Sequence, residues 1–243
     1  MIPDRRIAIV PARNEEGAVG SVVAEIRAFD PGLDVVVLDD GSTDRTVEAA
    51  AAAGAFVVRL PFNLGIGAAV QTGFKFALEN GYELAVRLDG DGQHDPAELP
   101  KLLGVLDRDE ADVVVGSRFV DGSGGHSGPR SRRIGIVFFA RLVSALTRQR
   151  VTDTTSGFQA LNRRGIAIFA ADYPHDYPEV EATVMVHKHR LRLVEVPVRM
   201  REREHGESSI TTLRSIYYML KVTLALIVGM LRTYALPSEE SRP

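Results

Sequence analysis

The chain has 243 residues, of which 45% are hydrophobic and 25% are charged. This length and composition are typical of one large α/β domain, or of two small ones, with a substantial core, and they exclude a mainly disordered chain. With 29 basic and 32 acidic side chains the formal net charge is −3, so no nucleic-acid partner is expected. The absence of cysteine excludes disulfides, thiolate metal sites and cysteine nucleophiles.

From the N-terminus onward, short apolar segments alternate with helical segments. The apolar segments are mostly rich in Val and Ile and are bounded by turn formers, which is the pattern of strands. Strands that alternate with helices predict βαβ units and a mostly parallel sheet with both faces covered. The predicted strands are residues 7–10, 34–38, 56–60, 84–88 and 112–115, and the predicted helices are residues 17–29, 43–53, 68–79 and 96–106.

The C-terminal third contains a further helix, a late strand and an amphipathic segment. Residues 179–189 are predicted to be helical, and LRLVEVPVRM predicts a strand within residues 191–200. In the segment 213–231 the longest uncharged stretch is VTLALIVGML, far shorter than the roughly 20 residues of a membrane-spanning helix. At helical periodicity this segment has a basic stripe and an opposite apolar face. The stripe is formed by Arg214, Lys221 and Arg232, and the apolar face by Leu213, Ile216, Leu220, Leu224, Ile227 and Leu231.

This amphipathic helix has two interpretations. A helix with a basic stripe can lie in the headgroup region of an anionic leaflet. It can equally be buried in a dimer or against the sheet, and Tyr217, Tyr218 and Tyr234 serve as anchors in either case. The first residues, MIPDRRIAIV, have too short an apolar run for a signal peptide, so a cytoplasmic location is expected.

Polar or glycine-rich loops follow all five of the early strands. In a parallel sheet the carboxyl ends of the strands meet at one edge, and ligands bind there. The sequence therefore predicts a binding site formed jointly by these loops. In chain order they read PARNEE, DDGSTD, NLGIGAA, DGDGQHD and GSRF.

The loop DGDGQHD carries the most specific signal. Asp95 is a natural N-cap for a helix that begins at Pro96, but Asp89 and Asp91 lie too early to cap it. Two neighbouring carboxylates at the end of a buried strand would repel each other unless a cation lay between them. An EF-hand is excluded, because His94 stands at the position where that loop requires glycine. Oxygen-only ligands select Mg²⁺ or Mn²⁺, which usually bridge to substrate phosphates, so the sequence predicts a diphosphate ligand.

Other nucleotide and hydrolase signatures are missing from the sequence. After the first strand the chain reads VPARNEEG, which is neither a dinucleotide-binding fingerprint nor a P-loop. It also contains no GxSxG elbow and no HExxH pair, which disfavours a serine hydrolase and a zinc hydrolase.

Seven motifs in fixed order resemble the family 2 glycosyltransferases with the GT-A fold, and more narrowly the polyprenyl-phosphate sugar synthases of the dolichol-phosphate mannose synthase type. They are VPARNEE, VVVLDDGSTDRT, FNLGIGAAVQTGF, RLDGDGQHD, VVVGSRF, DTTSGFQALNRR and VEVPVRMREREHGESSI. The resemblance implies a mostly parallel, Rossmann-like sheet flanked by helices, followed by the amphipathic helix. The implied division is a catalytic domain at 1–210, a membrane-associated or interface helix at 211–236 and a tail at 237–243.

The same resemblance implies a donor site. Three groups of residues would form it. Pro11, Arg13, Glu15, Asp39 and Asp40 would line the nucleotide pocket, Asn63, Gly65 and Gly67 would let the backbone approach the donor, and Asp89, Asp91 and Gln93 would hold Mg²⁺ or Mn²⁺ on its diphosphate.

The resemblance also implies an acceptor site and a segment that closes over the donor phosphates. Arg118, with Arg132 or Arg133, resembles the arginines that receive the lipid phosphate, although a solvated basic loop would explain the latter two as well. Two departures from the family are Ser209, where many members have lysine, and the loop 120–133, which lacks the usual tryptophan. The closing motif R-x-x-G-x-S matches Arg203, Gly206 and Ser208, and the residues expected to carry catalysis are Asp91, Arg118, Arg132, Arg133 and Arg203.

The implied reaction is transfer of a sugar, with inversion, from a GDP- or UDP-linked donor to polyprenyl phosphate at the inner face of the cell membrane, as in cell-envelope glycan synthesis. One alternative is a family 2 enzyme that glycosylates a hydroxyl and needs a carboxylate base, for which Asp153 and Glu179 are the candidates. Glu179 is equally explained as an acidic residue at a helix start. Another alternative is a non-catalytic partner subunit that binds the nucleotide sugar. All three functions are compatible with a homo-oligomer or with a small membrane-protein partner.

Overall fold

The structure is a computed structural model that describes residues 5–121, 130–175, 177–201, 221–228 and 230. Over these residues, seven strands form one sheet, and helices cover both of its faces. The strands are β1 (Arg6–Ala12), β2 (Leu33–Asp39), β3 (Phe56–Arg59), β4 (Leu84–Arg87), β5 (Val113–Ser117), β6 (Gln159–Asn162) and β7 (Leu193–Pro197). The helices are α1 (Val19–Phe29), α2 (Thr46–Ala52), α3 (Ile66–Glu79), α4 (Leu99–Asp107), α5 (Arg130–Thr147), α6 (Arg163–Ala171) and α7 (Pro178–Lys188), with a short 3₁₀ helix at Pro96–Glu98 before α4.

The sheet order is β3-β2-β1-β4-β6-β5-β7. Only β6 runs antiparallel, since it pairs in that direction with both β4 and β5, while β5 and β7 are parallel. The carboxyl ends of the other six strands consequently lie at one edge. This mostly parallel sheet confirms the predicted fold class, and the loops predicted to form the site all leave from this edge.

Alternation along the strands separates two apolar layers. In β1, Ile7 and Ile9 pack into one layer while Ala8 and Val10 pack into the other. This is the period-2 pattern of a strand that is buried on both faces. The first layer includes buried residues of α3, α5, α6 and α7, and the second includes those of α1, α2 and α4.

The predicted elements are present, with small shifts of their ends. All five early strands, the four helices between them, the helix before residue 189 and the late strand lie where the sequence places them. Helix α2 begins only at Thr46, because Ser42 and Thr43 before it are hydrogen-bonded to Asn14 in the loop after β1. The elements α5, β6 and α6 were not predicted.

Residues 221–228 form a helical segment, here called the C-terminal segment, that packs beside α7. Its Val222 and Leu226 are buried in the first apolar layer. The Lys221 ammonium lies 5.5 Å from the ring centre of Tyr177, at the start of α7, and the Lys188 ammonium, at its end, donates to the Met230 carbonyl at 2.9 Å. The segment therefore runs in the same direction as α7.

The opposite side of the C-terminal segment is apolar and exposed. Leu224, Ile227 and Val228 have exposed fractions of 62%, 46% and 54%. Among the described helices, none is both long enough and apolar enough to cross a membrane. The predicted boundaries after residues 210 and 236 lie outside the described residues, as do Arg214 and Arg232, and they stay predictions.

Candidate active site

A cleft of about 250 Å³ opens at the carboxyl edge of the sheet. Its walls come from the loops after β1, β2 and β4, from the start of α3 and from the first turn of α7. The predicted site residues that line it are Pro11, Arg13, Glu15, Asp40, Asp89, Asp91 and Glu179.

The loops after β1 and β2 are locked together by side-chain oxygens. The Asn14 amide donates to the Ser42 hydroxyl at 2.9 Å, and the Glu15 amide donates to the Thr46 hydroxyl at 2.8 Å. Asn14 has a φ of 54°, a left-handed conformation that asparagine tolerates better than most residues. These bonds fix the backbone on both sides of Asn14, and hence the places of Arg13 and Glu15 at the cleft.

Of the two adjacent acids at the end of β2, Asp40 lines the cleft and Asp39 does not. Asp39 is fully buried and accepts from the Ser42 amide at 3.1 Å. The Asp40 carboxylate accepts from the amides of Leu64 and Gly65 at 2.7 and 3.0 Å. Asp40 thereby holds the loop after β3 against the end of β2, a contact that sequence reasoning did not predict.

Gly65, just before α3, and Gly67, inside its first turn, are required for different structural reasons. Gly65 has a φ of 91°, where a Cβ would be strained, and open space surrounds the position that a Cβ would occupy. At Gly67 a Cβ would lie 2.3 Å from the Pro174 carbonyl oxygen, so this glycine permits close packing of α3. The Asn63 side chain accepts from the Gly65 amide at 3.1 Å. An approach of the donor to the backbone here stays a prediction, and Gly65 is the position with room for it.

The loop DGDGQHD is shaped by its own hydrogen bonds. The Gln93 amide donates to Asp91 at 3.1 Å, and the Asp89 amide donates to Nδ1 of His94 at 3.0 Å. Because Nδ1 accepts, the His94 ring is neutral, and burial lowers its pKa below the ordinary value despite the neighbouring Asp89. Asp95 caps the following turn by accepting from the Ala97 amide at 3.0 Å, as predicted.

A buried arginine behind this loop was missed by sequence reasoning. Arg87 is only 1% exposed and donates to Glu179 at 2.8 Å, to Asp89 at 3.3 Å and to the Tyr173 hydroxyl at 3.3 Å. Burial alone would lower the pKa of Arg87, but these partners raise it above the ordinary value, so the guanidinium is a permanent positive charge. A charged residue inside an apolar strand was the available signal, since such a residue requires partners.

Gly157, in the motif DTTSGF, lies directly against the Asp89 side chain. A Cβ at this glycine would stand 3.0 Å from both Asp89 carboxylate oxygens and 3.1 Å from Nη2 of Arg87. The absence of a side chain at Gly157 therefore leaves room for the carboxylate and its arginine. This gives the glycine of that motif a direct structural link to the predicted metal site.

Arg118 follows β5 immediately and is held by Asp153. Its Nε and Nη2 donate to the two Asp153 carboxylate oxygens at 2.8 and 2.9 Å, and Nη2 also donates to the Thr155 hydroxyl at 2.6 Å. The Asp153 side chain is fully buried. Burial would raise the pKa of Asp153, but the hydrogen bonds and charge of Arg118 outweigh it and leave that pKa below the ordinary value. A carboxylate in this state is a weak general base.

Five predicted site residues lie wholly or in part outside the described residues. The side chains of Arg132 and Arg133, in the first turn of α5, lie outside what the structure describes. Arg203, Gly206 and Ser208 lie outside the described residues altogether. The roles assigned to all five stay predictions.

The cleft has an excess of negative charge. Five carboxylates and two guanidinium groups line it, and a diphosphate would add further negative charge. Within the described residues, no three histidine, cysteine or acidic side chains are grouped so that they alone hold a metal ion. The carboxylates of Asp89 and Asp91 line the cleft and, with the side-chain oxygen of Gln93 next to it in the loop, make an oxygen-only set that fits Mg²⁺ or Mn²⁺. These ions commonly complete their coordination with water and substrate phosphate.

Comparison with protein families gives one match over most of the chain. Residues 7–169 match the family described as Glycosyl transferase family 2. This range covers the strands from β1 to β6 and the DGDGQHD and DTTSGF motifs.

Comparisons with individual proteins agree with this match. The chain is 33% identical to undecaprenyl-phosphate mannosyltransferase of Micrococcus luteus, over 85% of this chain and 88% of the relative. It is 34% identical to dolichyl-phosphate hexose transferase of Haloferax volcanii, over 85% of this chain and 87% of the relative. Among solved structures, glucosyl-3-phosphoglycerate synthase of Mycobacterium tuberculosis, in complex with Mn²⁺, UDP and phosphoglyceric acid, superposes with a TM-score of 0.70 at 23% identity, over 96% of this chain and 80% of that chain. At that identity the superposition shows a shared fold.

Proposed function

The chain belongs to glycosyl transferase family 2, and from that premise we propose that it transfers a sugar from a nucleoside-diphosphate donor to a polyprenyl phosphate at the inner face of the cell membrane. The observation that carries the choice of acceptor is the ion pair between Arg118 and Asp153. Among the described residues, the carboxylate at this point is engaged by the Arg118 cation, and this arrangement suits an acceptor that is already anionic and needs no general base. The names of the two relatives, which refer to polyprenyl and dolichyl phosphates, support the same class of acceptor.

The donor half of the reaction is assigned to the acidic cleft. Asp89, Asp91 and Gln93 would hold Mg²⁺ or Mn²⁺, and the bound ion would offset the negative charge that develops on the departing diphosphate. Arg87 keeps the Asp89 carboxylate in place, and Arg13 adds a second positive charge to the cleft. The Mn²⁺ and UDP named for the structural neighbour support this use of the fold.

The acceptor half is assigned to Arg118. Nε and Nη2 of Arg118 are used by Asp153 and Thr155, so the two protons of Nη1 remain to donate to phosphate oxygens and orient the acceptor. An acceptor oxygen then attacks the anomeric carbon while the bond from that carbon to the diphosphate breaks, which inverts the configuration. The phosphate brings its own negative charge, and no proton has to be removed in this step.

Glu179 and Asp153 were both candidate bases, but only Glu179 is among the residues that line the cleft. It lines the cleft on the first turn of α7, and its carboxylate is shared with the buried Arg87 at 2.8 Å. An anchored carboxylate at the cleft can accept hydrogen bonds from sugar hydroxyls. We assign Glu179 to the sugar of the donor.

The lipid acceptor requires contact with a membrane surface, and the C-terminal segment offers one. Its exposed residues Leu224, Ile227 and Val228 are apolar, while Val222 and Leu226 hold it on the protein. Each large apolar side chain that leaves water contributes roughly 1.5–3 kcal/mol, so a few of them suffice for reversible attachment. This arrangement supports a peripheral location.

The test is an incubation of the purified protein with GDP- and UDP-sugars, Mn²⁺ or Mg²⁺, and either polyprenyl phosphate or the corresponding free polyprenol. We expect a lipid-linked sugar from the phosphate only, and none after addition of EDTA. Product from the free alcohol would instead support the hydroxyl-glycosylating alternative. Nucleotide-sugar binding without turnover on either acceptor would support the partner-subunit alternative.

A further inference from the structure

The turn formed by residues 152–157 contacts both halves of the proposed site. At its start, Asp153 and Thr155 bind the Arg118 guanidinium. At its end, Gly157 lies against Asp89. Between these points, the Ser156 hydroxyl donates to the Gly116 carbonyl at 2.6 Å, which ties the turn to β5.

A carboxylate on β7 holds the start of this turn. Glu195 Oε1 accepts from the amides of Thr152 and Asp153 at 3.0 and 2.9 Å. Glu195 Oε2 accepts from the Thr152 amide and from the Thr152 hydroxyl, both at 2.9 Å. Because the Thr152 hydroxyl donates to Glu195, it accepts from the Ser117 hydroxyl, which lies 2.8 Å away. Both oxygens of Glu195 are thus used to fix two residues of the turn.

We infer that Glu195 is a positioning residue that sets the orientation of the Arg118 guanidinium through Asp153. Glu195 lies on β7 opposite Val115 of β5 and outside the residues that line the cleft. It acts on the backbone of Asp153, whose carboxylate in turn grips Arg118 at two points. The inference rests on the proposed function, because it concerns the arginine that is assigned to the acceptor phosphate.

Glutamine is the substitution at position 195 that tests this role most directly. Glu195→Gln retains the size of the side chain but replaces one acceptor oxygen by an NH₂ group, which would face the Thr152 donors. The turn is then held by one oxygen, and Asp153 no longer fixes both nitrogens of Arg118. A disturbed charge-assisted hydrogen bond corresponds to about a tenfold to hundredfold loss.

The chain provides a matched control at the opposite ends of the same strands. Asp112, just before β5, accepts from the backbone amide and the guanidinium of Arg192, just before β7, and from Asn162. Asp112→Asn therefore weakens a comparable carboxylate network that joins the same strands far from the cleft. It should lower the unfolding temperature as Glu195→Gln does, without changing the KM for the acceptor.

The experiment compares these variants with Arg118→Lys and with the double variant. We expect Glu195→Gln to raise the KM for polyprenyl phosphate about tenfold and to leave the KM for the nucleotide sugar within about twofold. When Arg118 is already lysine, Glu195→Gln should raise the acceptor KM by less than a further factor of about two. An unchanged acceptor KM, or a full additional loss in that background, would overturn the inference.

A second measurement is independent of turnover. Hydrogen exchange of the Arg118 Nε–H, assigned by its loss in Arg118→Lys, should be about tenfold faster in Glu195→Gln and unchanged in Asp112→Asn. Equal exchange in Glu195→Gln and wild type would overturn the inference. If wild type forms no lipid-linked product but the exchange responds as expected, the proposed function fails and the positioning role of Glu195 stands.

Discussion

Carboxylates in this site are distinguished by their partners. Asp153 and Glu179 are both acidic residues near the cleft, yet Asp153 is buried against Arg118 while Glu179 faces the cleft from its pair with Arg87. Asp89 shares that same arginine at 3.3 Å. The chemistry available to each acid therefore depends on which guanidinium it contacts.

Gly157 provides a test of the space around Asp89. In Gly157→Ala the new Cβ would stand 3.0 Å from both carboxylate oxygens, so the carboxylate must move by a few tenths of an ångström. Overpacking of this kind costs about 1–3 kcal/mol. We expect the Mn²⁺-dependent affinity for a nucleoside diphosphate, measured by calorimetry, to fall about tenfold.

The control is Gly104→Ala, in α4, where the nearest atom to an added Cβ is the flexible end of Arg108 at 3.4 Å. This variant should bind the nucleotide and Mn²⁺ as wild type does. Wild-type affinity in Gly157→Ala would show that Asp89 does not need the space beside this glycine.

At the scale of elements, the early strands and helices were predictable because their signals are local. Runs of Val and Ile between turn formers identify β1, β2 and β5 without any tertiary information. β6 is only four residues long and antiparallel to both neighbours, so it depends on partners that are distant in the sequence. α5 begins directly after the glycine-rich sequence GSGGHSGP, residues 122–129, which obscured the start of the helix in the sequence pattern.

The residues of the candidate site also differ in how far they could be predicted from local sequence signals. The loop residues that line the cleft, such as Asp89 and Asp91, were predictable because loops at the carboxyl edge must converge. The residues Arg87, Gly157 and Glu195 lie within the quoted motifs, but their supporting roles were not predicted. Their roles arise from contacts between segments that are far apart in the chain, which a pattern within one segment cannot reveal.

The C-terminal segment carries a prediction at this scale. Leu224→Ser with Ile227→Ser removes two exposed apolar side chains but leaves the buried Val222 and Leu226 in place. We expect the folded variant to lose about tenfold or more in affinity for anionic lipid vesicles in a sedimentation assay, since burial of each side chain contributes roughly 1.5–3 kcal/mol.

Phe56→Ser is the matched control, because Phe56 is 54% exposed on β3, where no membrane contact is proposed. Its vesicle affinity should equal that of wild type. If the double variant still binds vesicles normally but has a lower mass in analytical ultracentrifugation, the segment is a dimer interface, and the membrane assignment is wrong.

At the scale of the whole molecule, one sheet separates two apolar layers, and its carboxyl edge carries the site. α7 connects this edge to the C-terminal segment, which is the proposed membrane contact. Glu179, in the first turn of α7, lines the cleft, and the C-terminal segment runs beside α7 from Tyr177 to Lys188. The proposed lipid contact therefore begins near the edge at which the sugar is transferred.

The stability of the whole molecule should depend on pH through His94. Burial lowers the folded-state pKa of His94, so the unfolded chain binds more protons between that pKa and the ordinary value near 6.5. The contribution is fully present above about pH 6.5 and is lost as the pH falls below it, by at most about 1.4 kcal/mol per pH unit. Urea unfolding without metal should give a smaller loss between pH 7.5 and 5.5 in His94→Gln than in wild type.

Some pH dependence should remain in His94→Gln, because burial also lowers the pKa of His189. An identical loss of unfolding free energy in wild type and His94→Gln would contradict the assignment of a neutral, buried His94.

The most direct test of the central claim is the position of Mn²⁺ in crystals grown with a nucleoside diphosphate. The account predicts an anomalous scattering peak beside the carboxylates of Asp89 and Asp91, in contact with a diphosphate oxygen, and no such peak in Asp91→Ala. A Mn²⁺ ion or a nucleotide bound elsewhere on the protein, with that corner of the cleft empty, would contradict it.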